Sequence, residues 1–154
     1  MLVMKKSGFT MIELIFVIVI IAILAVIALP KLAATRDDAR FSMIAHNTMS
    51  SAYEIAAYAT ARGQTEPKFS DMSKSMENLV TKGYADDTGT YRADISSDDD
   101  TGVCLILRIT NPGSNSETLH IEEGPATDDG CLRLKELIDF ASYPIALRGN
   151  LISY

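Results

Sequence analysis

The run Phe9–Leu29, FTMIELIFVIVIIAILAVIAL, constrains this chain most: 21 consecutive residues carry one charge, Glu13. A helix of that length covers about 30 Å, the thickness of a bilayer's hydrocarbon core. A secretory signal has a shorter apolar stretch and a small-residue cleavage site. Here the run ends in Leu29, Pro30 and Lys31, so retention in a membrane is the expected outcome. Lys5 and Lys6 precede the span, and the positive-inside rule keeps such a flank cytoplasmic and exports the chain beyond the span.

The rest of the chain is ordinary in composition. At 154 residues it has room for one modest core. Removing Met1–Gly8 would take Lys5 and Lys6 away and move the formal net charge from -6 to -8. An acidic head weighs against binding to phosphate backbones through its overall field. Cys104 and Cys131 both lie beyond the span, and an even cysteine count in an exported domain favours one disulfide.

Glu13 is what a plain anchor leaves unexplained. An ionised carboxylate inside an apolar helix costs about 2.5–3.5 kcal/mol on insertion scales and calls for a partner or a proton. Alternatively, so near the start of the span, it snorkels to the headgroups.

Its neighbours decide between the two. KKSGFTMIEL resembles the prepilin processing motif of type IV pilins and type II secretion pseudopilins: a short basic leader ending in Gly, then Phe, with Glu four residues further on. Gly8, Phe9 and Glu13 hold those positions, with Lys5 and Lys6 as the basic leader. The resemblance implies that a prepilin peptidase cuts between Gly8 and Phe9 and methylates the new amine of Phe9. It implies that Glu13 then pairs with the Phe9 ammonium of a neighbouring subunit. Two charges that are each costly in lipid offset one another and set the register of otherwise uniform helices. The expected organisation is a cleaved leader at 1–8, a transmembrane and polymerisation helix at 9–29, and a periplasmic or extracellular head at 30–154. Pro30 removes a backbone donor and is expected to break the helix, either as a kinked or extended stretch within it or as the boundary where the span leaves the bilayer.

Beyond Pro30 the helical period resumes. Phe41, Ile44, Ala45, Met49, Ala52, Ile55, Ala56 and Ala59 recur at three- and four-residue steps up to a stop at Gly63. From Phe9 to Arg62 this makes one 54-residue helix, abnormal for a globule and normal for a filament spine. A shorter helix is expected next, capped by Ser70 or Ser73, with Met72, Met76, Leu79 and Val80 before Gly83. Val103–Thr110, Thr118–Glu122 and Cys131–Leu137 are read as strands, and Tyr91–Ile95 is a weaker one. YPIALRGNLISY reads as a last strand or a hairpin about Gly149 and Asn150. The expected fold class is therefore α+β: a long N-terminal helix packed on a small antiparallel sheet, pilin-like.

Other chemistry is sparse. Acidic clusters at Asp86 and Asp87, Asp98–Asp100, and Asp128 and Asp129 raise calcium as a cofactor, although none has EF-hand spacing. Resident cofactors are otherwise expected to be none. His46 and His120 are isolated, and no nucleophile elbow or phosphate loop occurs, so no catalysis is expected. The leading expectation is a structural subunit of a pilus or pseudopilus in the bacterial inner membrane or, once assembled, at the cell surface. Its partners would be the prepilin peptidase/methyltransferase, identical or related subunits, an inner-membrane assembly platform and the bilayer. The alternative is a membrane-anchored binding module that does not polymerise.

Overall fold

A computed structural model describes residues 8–98 and 102–148, and for residues 29, 30, 33 and 34 the backbone alone. The chain divides into two compact units, Met1–Ala39 and Arg40–Tyr154.

Helix α1, Met11–Arg62, contributes to both units. From Leu14 to Ala28 it is apolar on every side, the pattern of a helix surrounded by lipid or by other helices. None of Met11–Ala28 is buried. Helical backbone runs through Pro30, so α1 neither ends there nor gives way to an extended stretch, two of the forms expected of the break. Proline removes one ladder donor, a loss that helical neighbours on both sides absorb when the adjoining turns keep their own bonds. Gly63 ends α1 at φ +71, and its N–H reaches the Ala59 carbonyl at 2.8 Å, the positive-φ stop that glycine accepts most readily.

In the second unit, the 3₁₀ turn Phe69–Asp71 leads into α2, Lys74–Thr81. Five strands follow: β1 Ala85–Gly89, β2 Arg92–Ile95, β3 Leu105–Thr110, β4 Thr118–Glu123 and β5 Ile145–Ala146. They form one antiparallel sheet in the order β1-β2-β3-β4-β5, so each strand pairs with its neighbour in sequence. This is the α+β pilin-like arrangement. Inward residues alternate along β3 and β4: Leu105, Leu107, Ile109, Leu119 and Ile121 are buried. They pack with Ile44, Ala52, Ile55 and Ala59 of α1 and with Phe69, Met76 and Leu79.

One expected element changes type, and one strand forms where none was expected. Cys131–Leu137 is not a strand: α3, Asp129–Glu136, is a helix whose N-cap Asp128 accepts from the Cys131 N–H. The sequence CLRLKEL fits both periods. Helix wins because Cys131 and Leu134, three residues apart, then fall on one buried face, with Ile138 buried just past the helix end. Strand β1 is not expected from its sequence, because Ala85–Gly89 is ADDTG, a composition depleted in strands. It forms because Asp87 turns inward, its carboxylate accepting the N–H groups of Phe69 and Ser70 at 3.0 and 2.7 Å. The weaker candidate Tyr91–Ile95 is β2, with Tyr91 itself in the turn at φ 56. The cap of α2 is Ser73, whose hydroxyl accepts from Met76 N–H. Ile145–Ala146 of the terminal stretch form β5; a hairpin about Gly149 and Asn150 lies outside the described residues.

Two charged side chains join distant segments of the head. The fully buried Glu117 carboxylate accepts from Arg148 Nε at 2.9 Å and from the Thr65 hydroxyl. Buried charges require such partners. Lys135 donates to the Gly124 and Ala126 carbonyls at 2.7 and 2.8 Å, holding the β4–α3 loop.

Candidate processing and assembly site

Residues 8–10 are not helical, and α1 starts at Met11. Phe9 is 85% exposed. A Cβ built on Gly8 meets nothing within 4 Å, and Gly8 is not among the positive-φ glycines. The fold therefore makes no demand for glycine here, and any such demand comes from a molecule that grips this segment.

The helix start is a reciprocal pair. Thr10 Oγ1 accepts the Glu13 N–H at 3.3 Å, while Glu13 Oε2 accepts the Thr10 N–H at 2.9 Å and the Thr10 hydroxyl at 2.8 Å. This is a capping box, in which a threonine N-cap and a glutamate three residues on satisfy each other's orphan donors. Thr10 is a residue of this cap that was not named from the sequence. The signal was present in the spacing Thr10-x-x-Glu13. A first-turn carboxylate also complements the positive end of the helix. No described residue donates to Glu13 Oε1, so half of the carboxylate is uncommitted.

From Met11 to Ala28 the helix exposes Leu14, Ile15, Phe16, Ile18, Ile21, Leu24 and further apolar side chains. One helix of the described chain is long and apolar enough to cross a membrane. So much exposed apolar surface is unfavourable in water and suits a lipid or apolar-helix surrounding, which suggests membrane anchoring. Thus Gly8, Phe9 and Glu13 lie together at the start of the span, whereas Pro30 lies far along it within the helical run. Lys5 and Lys6 lie outside the described residues.

Among the remaining candidates, Cys104 and Cys131 are joined in a disulfide, with Cα atoms 4.9 Å apart. Asp128, whose carboxylate lies near both sulfurs, caps α3, and the sulfurs of a disulfide are not available as thiolate ligands. The acidic clusters are engaged within the protein: Asp86 accepts from Thr88, Asp129 pairs with Arg133, and Asp98 pairs with Arg40. The Thr88 hydroxyl and then its N–H hold the Asp86 carboxyl below its ordinary range. His120 lies between the Thr110 and Thr118 hydroxyls at 3.2 and 3.0 Å. Asp99 and Asp100 lie outside the described residues.

A comparison with protein families matches residues 3–29 to the prokaryotic N-terminal methylation motif. The chain therefore carries a prepilin motif of the type IV pilin and pseudopilin kind, spanning the leader, Gly8, Phe9, Glu13 and the apolar helix. No curated protein and no solved structure matches the chain.

Proposed function

We propose that this chain is a structural subunit of a type IV pilus or a type II secretion pseudopilus, made competent by prepilin peptidase and assembled through α1. The observation that carries the reading is the methylation motif at residues 3–29, which takes in a helix none of whose apolar side chains is buried among the described residues. In this reading the peptidase/methyltransferase cuts the exposed Gly8–Phe9 bond and methylates Phe9. The subunit then waits in the inner membrane with its head in the periplasm. An inner-membrane assembly platform moves it from lipid into a bundle of related helices. There the Phe9 ammonium and Glu13 of adjacent subunits neutralise each other, an exchange favoured because each charge alone is costly in an apolar surrounding. The chain itself performs no catalysis, and the mechanical work belongs to a separate cytoplasmic motor.

Two measurements test this. Intact-mass analysis of membrane-extracted protein should give a mature chain beginning at methylated Phe9. Sheared filaments should contain wild-type chain and be depleted of Glu13→Gln, while both are inserted equally. An intact leader on the membrane-resident protein, or absence of the wild-type chain from sheared filaments, would leave a non-polymerising tether as the better account, and equal assembly of Glu13→Gln would overturn the pairing.

A further inference from the structure

Helix α2 meets α1 differently at its two ends. At its start, Glu54 of α1 accepts from the Ser73 hydroxyl and from the Ser75 N–H and hydroxyl at 2.7, 3.0 and 2.7 Å. At its other end the C-cap residue Lys82 reaches α1 at a sulfur, its Nζ lying 3.9 Å from Met43 Sδ. Asn47, one turn further along α1, points its Nδ2 at the same sulfur from 3.1 Å. A thioether is a weak acceptor, so an amide and an ammonium are aimed at an atom that rewards them little. Met43 is half-buried beside the exposed Lys82, whereas Met72 and Met76 belong to the core at 6% and 0% exposure.

One added oxygen reverses that imbalance. Oxidation turns the apolar thioether into a polar sulfoxide, which in a core disrupts packing. At Met43 the new oxygen would instead find two donors already in place, one of them charged, and hydrogen bonds from a charged donor are the stronger kind. The 3.9 Å between Nζ and Sδ is long for a contact with sulfur itself and suits an oxygen seated between the two.

We propose that Met43 is an oxidation site for a peroxide, and that its sulfoxide accepts from Asn47 and Lys82 and so fastens the end of α2 to α1. In the reaction the sulfur lone pair attacks one peroxide oxygen, and the O–O bond breaks as the S–O bond forms. Sulfur is oxidised by two electrons and the peroxide is reduced. The proton on the transferred oxygen passes to the departing one, which leaves as water. The proposal concerns the head alone and stands apart from the filament reading.

The experiment treats full-length, detergent-solubilised chain with hydrogen peroxide, maps sulfoxides by peptide mass spectrometry and follows the thermal midpoint of the head. Met43→Leu is treated in parallel, so that effects of the other methionines are subtracted. Met43 should be oxidised before Met72 and Met76, because susceptibility follows exposure. After subtraction, oxidation should raise the wild-type midpoint by about 4 °C, the shift that one added hydrogen bond gives in a domain of this size. Lys82→Ala should have the wild-type midpoint before treatment, since a thioether contact contributes little, and should lose the rise after it. Oxidation of Met43 no earlier than that of Met72 and Met76 overturns the proposal. So does a wild-type midpoint that fails to rise, or a rise that is as large in Lys82→Ala.

Discussion

Gly8 separates what the fold requires from what a partner requires. With open space around its missing Cβ and no positive φ, Gly8→Ala should leave insertion and the head unchanged. If the peptidase accepts only glycine before the cut, the variant should nevertheless accumulate with its leader attached, a shift visible in the intact mass. Normal maturation would remove Gly8 from the site. Glu54 offers a test of a different kind in the head. From α1 its carboxylate accepts from the Ser73 hydroxyl at 2.7 Å and from the Ser75 N–H and hydroxyl at 3.0 and 2.7 Å. Burial is the largest single influence and raises its pKa, but the Ser73 and Ser75 bonds together outweigh it and leave the carboxyl below its usual 4.5. A depressed folded-state pKa adds stability above the unfolded value that is lost as pH falls through the folded one. Glu54→Gln should therefore destabilise the head at neutral pH, with the difference from wild type shrinking below about pH 4.5. Denaturant melts at pH 7 and pH 3 would show it, and a difference that stayed constant would refute it. Gly8 and Glu13 were legible in the sequence because their chemistry is local and their spacing fixed. Glu54 was not, because its partners lie 19 and 21 residues away and only packing brings them together.

Among the elements, α3 shows where sequence reading fails and why. CLRLKEL alternates like a strand, and the acidic run before it reads as a turn. The same run contains the N-cap Asp128, and the basic Arg133 and Lys135 lie in the last turn, where they complement the helix dipole. Local signals for helix were thus present but shared their residues with signals for strand. The core decided between them by taking Cys131, Leu134 and Ile138. Helix α1, β3 and β4 were legible because their periods are long or unambiguous, whereas β1 depends on the inward turn of one aspartate. An eight-residue helix is marginal alone, so α3 depends on its packing and on the bond to Cys104. Closing a loop with a sequence separation of 27 stabilises by about 3–4 kcal/mol in the chain-entropy model. Under denaturing conditions without reductant, Cys104 and Cys131 should both resist alkylation. After reduction, amide exchange should rise first in 129–136 while β3 and β4 stay protected. Labelling of both thiols without reductant would dismiss the bridge, and uniform loss of protection would dismiss the separate weakness of α3.

On the scale of the whole molecule, one sequence encodes two surroundings. The described residues of the first unit present apolar side chains outward, and those of the second enclose theirs. Substitutions should report this division directly. Ile18 is 55% exposed and Ile55 is 0% exposed, so the same change has different consequences in detergent-solubilised protein. Ile55→Ala should cost the head about 2–5 kcal/mol and lower its thermal midpoint. Ile18→Ala should leave that midpoint unchanged and act only on membrane retention or assembly. Equal shifts would mean that the span shares in the stability of the head. The order of the strands has a kinetic counterpart. Because β1 to β5 pair in the order in which they are encoded, each strand after β1 emerges from the ribosome with a partner already made. Pairing between sequence neighbours closes short loops and is correspondingly fast. A sheet built this way can grow from one edge, each new strand adding to the one before it.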